Sequence, residues 1–66
     1  MAQRSGVVDV NWGRLNIRAR PSVDADVIAQ AYDGARLSVL NQWQGWYLVN
    51  YNGVIGYASQ DYITLI

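Results

Sequence analysis

A chain of 66 residues has room for one domain, near the lower limit at which a core sustains itself, since such a chain buries only about 60% of its unfolded surface. With 52% hydrophobic and 15% charged residues it falls outside the disordered class, and without Cys or His it has neither disulfides nor thiolate or imidazole metal ligands as staples. Five Arg balance five Asp, which argues against long-range attraction to nucleic acid or an anionic membrane and leaves some tendency to self-association, although a monomer is expected.

Residues 1–6 read as a leader, or as the first residues of an excised segment, with no targeting pattern in them. No stretch approaches the roughly 20 apolar residues needed to span a bilayer. Val7–Trp12 alternates weakly, with Val8 and Val10 on one face, and predicts a first strand. After a turn at Gly13, Leu15–Ala19 alternates more cleanly, with Leu15 and Ile17 facing inward. Pro21, which cannot donate to a ladder, ends this run.

Residues 22–26 form a polar loop carrying Asp24 and Asp26. Val27–Tyr32 predicts a third strand, ended by the turn pair Asp33-Gly34. Arg36–Asn41 predicts a fourth, with Leu37 and Val39 inward, and residues 42–45 connect it onward. Trp12 is expected to pack in the core or at an edge. Trp43 is expected exposed at an edge of the sheet.

The segment from Gly45 to Tyr62 organises the rest, for it holds five of the eight aromatic residues. Trp46–Tyr51 is rich in the aromatic and branched residues that suit a pleated, half-buried surface. Asn52-Gly53 tolerates positive φ at both centres of a type I′ turn and predicts a hairpin. In the returning run Val54–Ser59, Gly56 marks a bulge or a close backbone approach. Ser59 is a natural N-cap for one helical turn over residues 59–62, and Ile63–Ile66 predicts a short closing strand. Alternation assigns Tyr47 and Val49 inward, leaving Trp46 and Leu48 on the outer face near Tyr57 and Tyr62. Short strands with turn signals every eight to twelve residues predict an all-β fold, a small barrel or sandwich.

Catalysis finds little support. Without His, Cys, Lys or Glu, acid–base and nucleophilic chemistry would fall to Asp, Ser, Tyr and Arg. Asp24 and Asp26 read as solvated turn formers, and with Asp33 they lack the spacing of a calcium loop. No cofactor is expected. The exposed aromatics point instead to binding, because rings edged by polar groups suit sugar faces and peptides. Single-stranded nucleic acid would also stack on them, but it needs a basic track that five scattered Arg do not form.

Four pieces in order resemble the bacterial SH3-like domain family: Leu15–Ser22 (LNIRARPS), Val27-Ile28 ahead of Asp33-Gly34, Gly45–Val49 (GWYLV), and Asn52-Gly53 leading to Gly56–Ser59 with Tyr62. The resemblance covers residues 7–66. It implies a five- to six-stranded SH3-like barrel with one short 3-10 turn near the C-terminus. It also implies a non-catalytic module that binds cell-wall peptidoglycan or a peptide, in a parent protein of the cell envelope or exterior. Similarity to eukaryotic SH3 domains places Trp46, Tyr57 and Tyr62 in a groove, with Ser59 where those domains usually carry proline. Arg20 replaces a frequent glycine of the bacterial family, and Leu48 and Asn50 replace frequent basic residues. The candidate ligand-binding set is Trp46, Tyr57, Tyr62 and Trp43, with Asp24 and Asp26 at the rim. An architectural domain of a larger envelope protein is the alternative reading. A sequence with no Lys, Glu, His, Cys or Phe also admits a reduced-alphabet, engineered version of the fold without a ligand.

Overall fold

Two tight turns set the geometry of the central hairpins. In the computed structural model, which describes residues 4–66, Asn52 and Gly53 have φ of 52° and 89°, the doubly positive pattern of a type I′ turn. Asn50 strengthens it, its Oδ1 accepting from the Gly53 N–H at 3.0 Å. Gln44 and Gly45 repeat the pattern one hairpin earlier, with φ of 46° and 90°. Residues 42–45 are therefore not a loose connection. The fourth strand runs on to Trp43, and only two residues separate it from the fifth.

The strands are β1 (Arg4–Val8), β2 (Arg14–Arg18), β3 (Val27–Tyr32), β4 (Arg36–Trp43), β5 (Trp46–Tyr51), β6 (Val54–Ser59) and β7 (Ile63–Leu65), with a 3-10 turn at Gln60–Tyr62. All seven join one sheet in the order β3-β2-β6-β5-β4-β1-β7, and every ladder is antiparallel. The fold is all-β and SH3-like, as expected, with seven strands among the described residues instead of five or six.

The first strand begins earlier in the chain than the alternation at Val7–Trp12 suggests. Arg4–Gly6 pair with β4, and Gly6–Val8 pair with β7, so these residues belong to the sheet; residues 1–3 lie outside the described part. The predicted strand over Val7–Trp12 is displaced accordingly. Beyond Val8 the backbone turns to other partners: Asp9 N–H donates to the Tyr62 carbonyl at 2.8 Å, and Val10 N–H donates to Asp33 Oδ1 at 3.1 Å. Gly6 permits the early start, because a Cβ there would lie 2.8 Å from Ile63 Cγ2.

The core is aliphatic and small-featured. Val8, Leu15, Ile17, Ala31, Leu37, Val39, Val49, Ala58 and Ile63 form its buried cluster, with Tyr47 and Tyr51 packed partly against it. The inward assignments of Leu15, Ile17, Leu37, Val39 and Val49 hold. Each such side chain removed from water contributes roughly 1.5–3 kcal/mol. Gly56 is a close approach and not a bulge, since the β5–β6 register runs unbroken past it. A Cβ at Gly56 would sit 2.7 Å from the Arg18 carbonyl oxygen, where β2 meets β6 through the single pair Arg18↔Tyr57.

The bulge that does occur lies in β4. Val39 faces Val49 and Asn41 faces Leu48, so Leu40 is an extra residue that reverses the alternation. Without it, Trp43 would share the inner parity of Leu37 and Val39. With it, Trp43 stands opposite Trp46 on the outer face.

Candidate functional site

A groove of about 600 Å³ lies on the outer surface, built by four parts of the chain. One wall is the outer face of β2. Leu15 and Ile17 point into the core, so Arg14, Asn16 and Arg18 must alternate outward. Val10, Asn11 and Trp12 form one end, Val23 stands on the loop after β2, and Trp46, Ser59, Asp61 and Tyr62 form the far wall. The far wall is ordered by a cap: Ser59 Oγ accepts from the Asp61 N–H at 3.4 Å and starts the 3-10 turn that presents Tyr62.

The loop between β2 and β3 is also internally held. Ala25 is buried, its N–H donating to the Ser22 carbonyl at 3.1 Å, while Ser22 Oγ accepts from the Asp24 N–H at 3.2 Å. Arg18 reaches across and donates from Nη1 to the Ala25 carbonyl at 3.0 Å. Val23 is thereby fixed at the groove edge, 71% exposed. Arg14 donates to Gln30 Oε1 at 3.1 Å and lies 4.9 Å from the centroid of the Tyr32 ring, a cation–π distance. Gln30 donates in turn to Asn16 Oδ1 at 2.9 Å. The β2 wall is thus a row of pre-placed polar groups.

The expected site residues divide into four sets. Trp46 and Tyr62 both line the groove. Trp43 is 57% exposed and faces Trp46 across the β4–β5 ladder, which extends the aromatic surface beyond the groove. Tyr57 faces outward between buried Gly56 and Ala58 but stands opposite Leu48 and Arg18, further along the sheet. Asp24 and Asp26 are exposed on the loop, outside the lining.

Sequence reasoning placed Trp12 in the core or at an edge; the structure corrects this. Trp12 is 89% exposed and lines the groove. The chain bends at residues 11–13, where Gly13 takes a φ of 81°, and Trp12 sits in this bend and not in a strand. Val23, Asp61 and the polar row on β2 were also missed. The outward parity of Arg14, Asn16 and Arg18 was present in the alternation, but nothing local said that this face borders a groove.

Among the described residues, no group of three or more acidic side chains is placed to hold a metal ion. No helix among them is long and apolar enough to cross a membrane.

A curled antiparallel sheet with a capped 3-10 turn and an aromatic-walled groove defines the class of SH3-like barrels. The bacterial SH3 domain family model matches residues 13–64, and the chain belongs to that family. It is also 37% identical over 62 residues to the Bacillus subtilis (strain 168) protein named "Putative N-acetylmuramoyl-L-alanine amidase YrvJ". That match covers 94% of this chain and 12% of the relative, so the chain spans about an eighth of that protein's length.

Proposed function

We propose that the domain is a non-catalytic binding and targeting module that takes a cell-wall peptide, stem or cross-bridge, or a related peptide segment, into the groove between β2 and the 3-10 turn. The observation that carries this reading is the convergence of Trp12, Trp46 and Tyr62 on one groove, each from a different part of the chain. Aromatic groups left in water at one place are the usual mark of a binding surface. The relative's name describes an enzyme that acts on an N-acetylmuramoyl-L-alanine linkage, which supports a cell-wall ligand and an envelope or extracellular parent protein. One shallow groove binds weakly, so useful affinity would come from tethering to a neighbouring domain.

The test is a titration of isotope-labelled domain with solubilised peptidoglycan fragments, followed by NMR. Shifts should centre on Trp12, Trp46, Tyr62 and Val23. Trp46→Ala should weaken binding about tenfold or more, as a central aromatic anchor does, while thermal unfolding stays cooperative. Collapse of the barrel on that substitution, or shifts confined to the separate surface around Arg36 and Asn52, would rule the groove out as the binding site.

A further inference from the structure

The groove is electrically lopsided, although the whole chain is formally neutral. Its lining includes two guanidinium groups, Arg14 and Arg18, and a single carboxylate, Asp61. The two cations stand together on the β2 wall; the anion stands across the groove on the 3-10 turn. The partners that hold the guanidinium groups are neutral: an amide oxygen and a tyrosine ring for Arg14, a backbone carbonyl for Arg18. These contacts fix the side chains without cancelling their charge. A guanidinium has five N–H donors, and the bond to Ala25 occupies one of those of Arg18.

We infer that the β2 wall recognises a peptide carrying a free carboxylate, with Arg14 and Arg18 as the charged contacts. This rests on the groove being the peptide site and adds the chemistry of its ligand. The spacing selects the ligand's form. Arg14 and Arg18 are four residues apart on one strand, so their Cα atoms are separated by about 13 Å. That span suits an extended chain that meets one guanidinium with its carboxylate and the other with a carbonyl or second carboxylate further along. A single compact phosphate would reach only one of them well. Nucleic acid fits less well again, because the five Asp leave no continuous basic track. Arg–carboxylate contacts are charge-assisted and frequently bidentate, which makes them both strong and directional. Asp61 repels a carboxylate and so favours the orientation that places the ligand's acidic end against β2.

The experiment compares two probes, a solubilised cell-wall stem peptide with its carboxyl groups free and the same peptide with them amidated, titrated into the labelled domain at low and moderate salt. The free acid should bind about tenfold more tightly, as expected for losing a charge-assisted contact, and its advantage should shrink as salt rises. The Arg14 and Arg18 Nε–H signals should move only with the free acid. Arg14→Gln should reduce that preference, and Asp61→Asn should strengthen binding of the free acid. Arg14 touches no residue of the loop after β2 in the bonds described above, so its variant tests the charge where Arg18→Gln could also loosen the loop. Equal binding of both probes in the groove would overturn the carboxylate inference and leave the peptide site standing. Binding of neither, or shifts elsewhere only, would overturn both.

Discussion

The two faces of the β5–β6 hairpin are made from the same two six-residue strands yet serve opposite ends. Inward it offers Val49, Gly56 and Ala58, all buried; outward it offers Trp46, Leu48 and Tyr57, all partly exposed. The inner positions are small because the sheet curls tightly and another strand's backbone comes within contact distance of Gly56. The outer positions are large because nothing on that side limits them. All three tryptophans lie on the outer side, Trp12 and Trp43 exposed and Trp46 half-buried on the outer face of β5. Two of them, Trp12 and Trp46, then meet at the groove.

This contrast can be broken at its inner side first. Ile17 is fully buried, and Ile17→Ala should cost about 4 kcal/mol in urea unfolding, through lost transfer energy and a cavity. Gly56→Ala should cost about 3 kcal/mol, because the methyl group meets the Arg18 carbonyl oxygen and the Ile17 side chain, and a backbone atom cannot swing aside. Tolerance of that alanine would mean that the β2–β6 contact is looser than the geometry shows.

A smaller effect of opposite sign tests the two turns against each other. Asn52 adopts its positive φ as a residue suited to it, whereas Gln44 adopts the same conformation without that advantage. Gln44→Asn should therefore raise stability by about 0.5 kcal/mol, visible as a higher urea midpoint at unchanged slope. The outer face should respond least. Trp12→Ala should change stability by less than about 0.5 kcal/mol, as surface substitutions do, and yet reduce peptide binding. A destabilisation comparable to that of Ile17→Ala would show that the outer and inner faces are not energetically separate.

Much of the fold was legible because its signals are local. Alternation placed Leu15, Ile17, Leu37, Val39 and Val49 inward, Asn52-Gly53 marked its turn, and Ser59 marked the cap of the 3-10 turn. The β4 bulge was not legible: Leu40 is an ordinary strand residue, and only the pairing with β5 shows that it is extra. Nor was the start of β1 at Arg4, since Gly6 argues against a strand by propensity and is needed there only because Leu37, Val39 and Ile63 crowd the position. Of the candidate site, Trp46 and Tyr62 were legible as outward aromatics. Tyr57 shares that outward parity but stands outside the groove, because adjacency across a curled sheet is not encoded in parity.

The short-range choices, namely strands, turns, the cap and most of the inward side chains, were therefore readable from the residues alone. These depend on backbone preferences and on a period of two, which act over a few residues. Packing between distant segments brings Trp12 to Trp46 and Tyr62, turns Trp43 outward, and sets Arg14 and Arg18 in one groove with Asp61. Those juxtapositions arise from the curvature of a seven-stranded sheet and one inserted residue, and both are settled by packing between segments far apart in the chain.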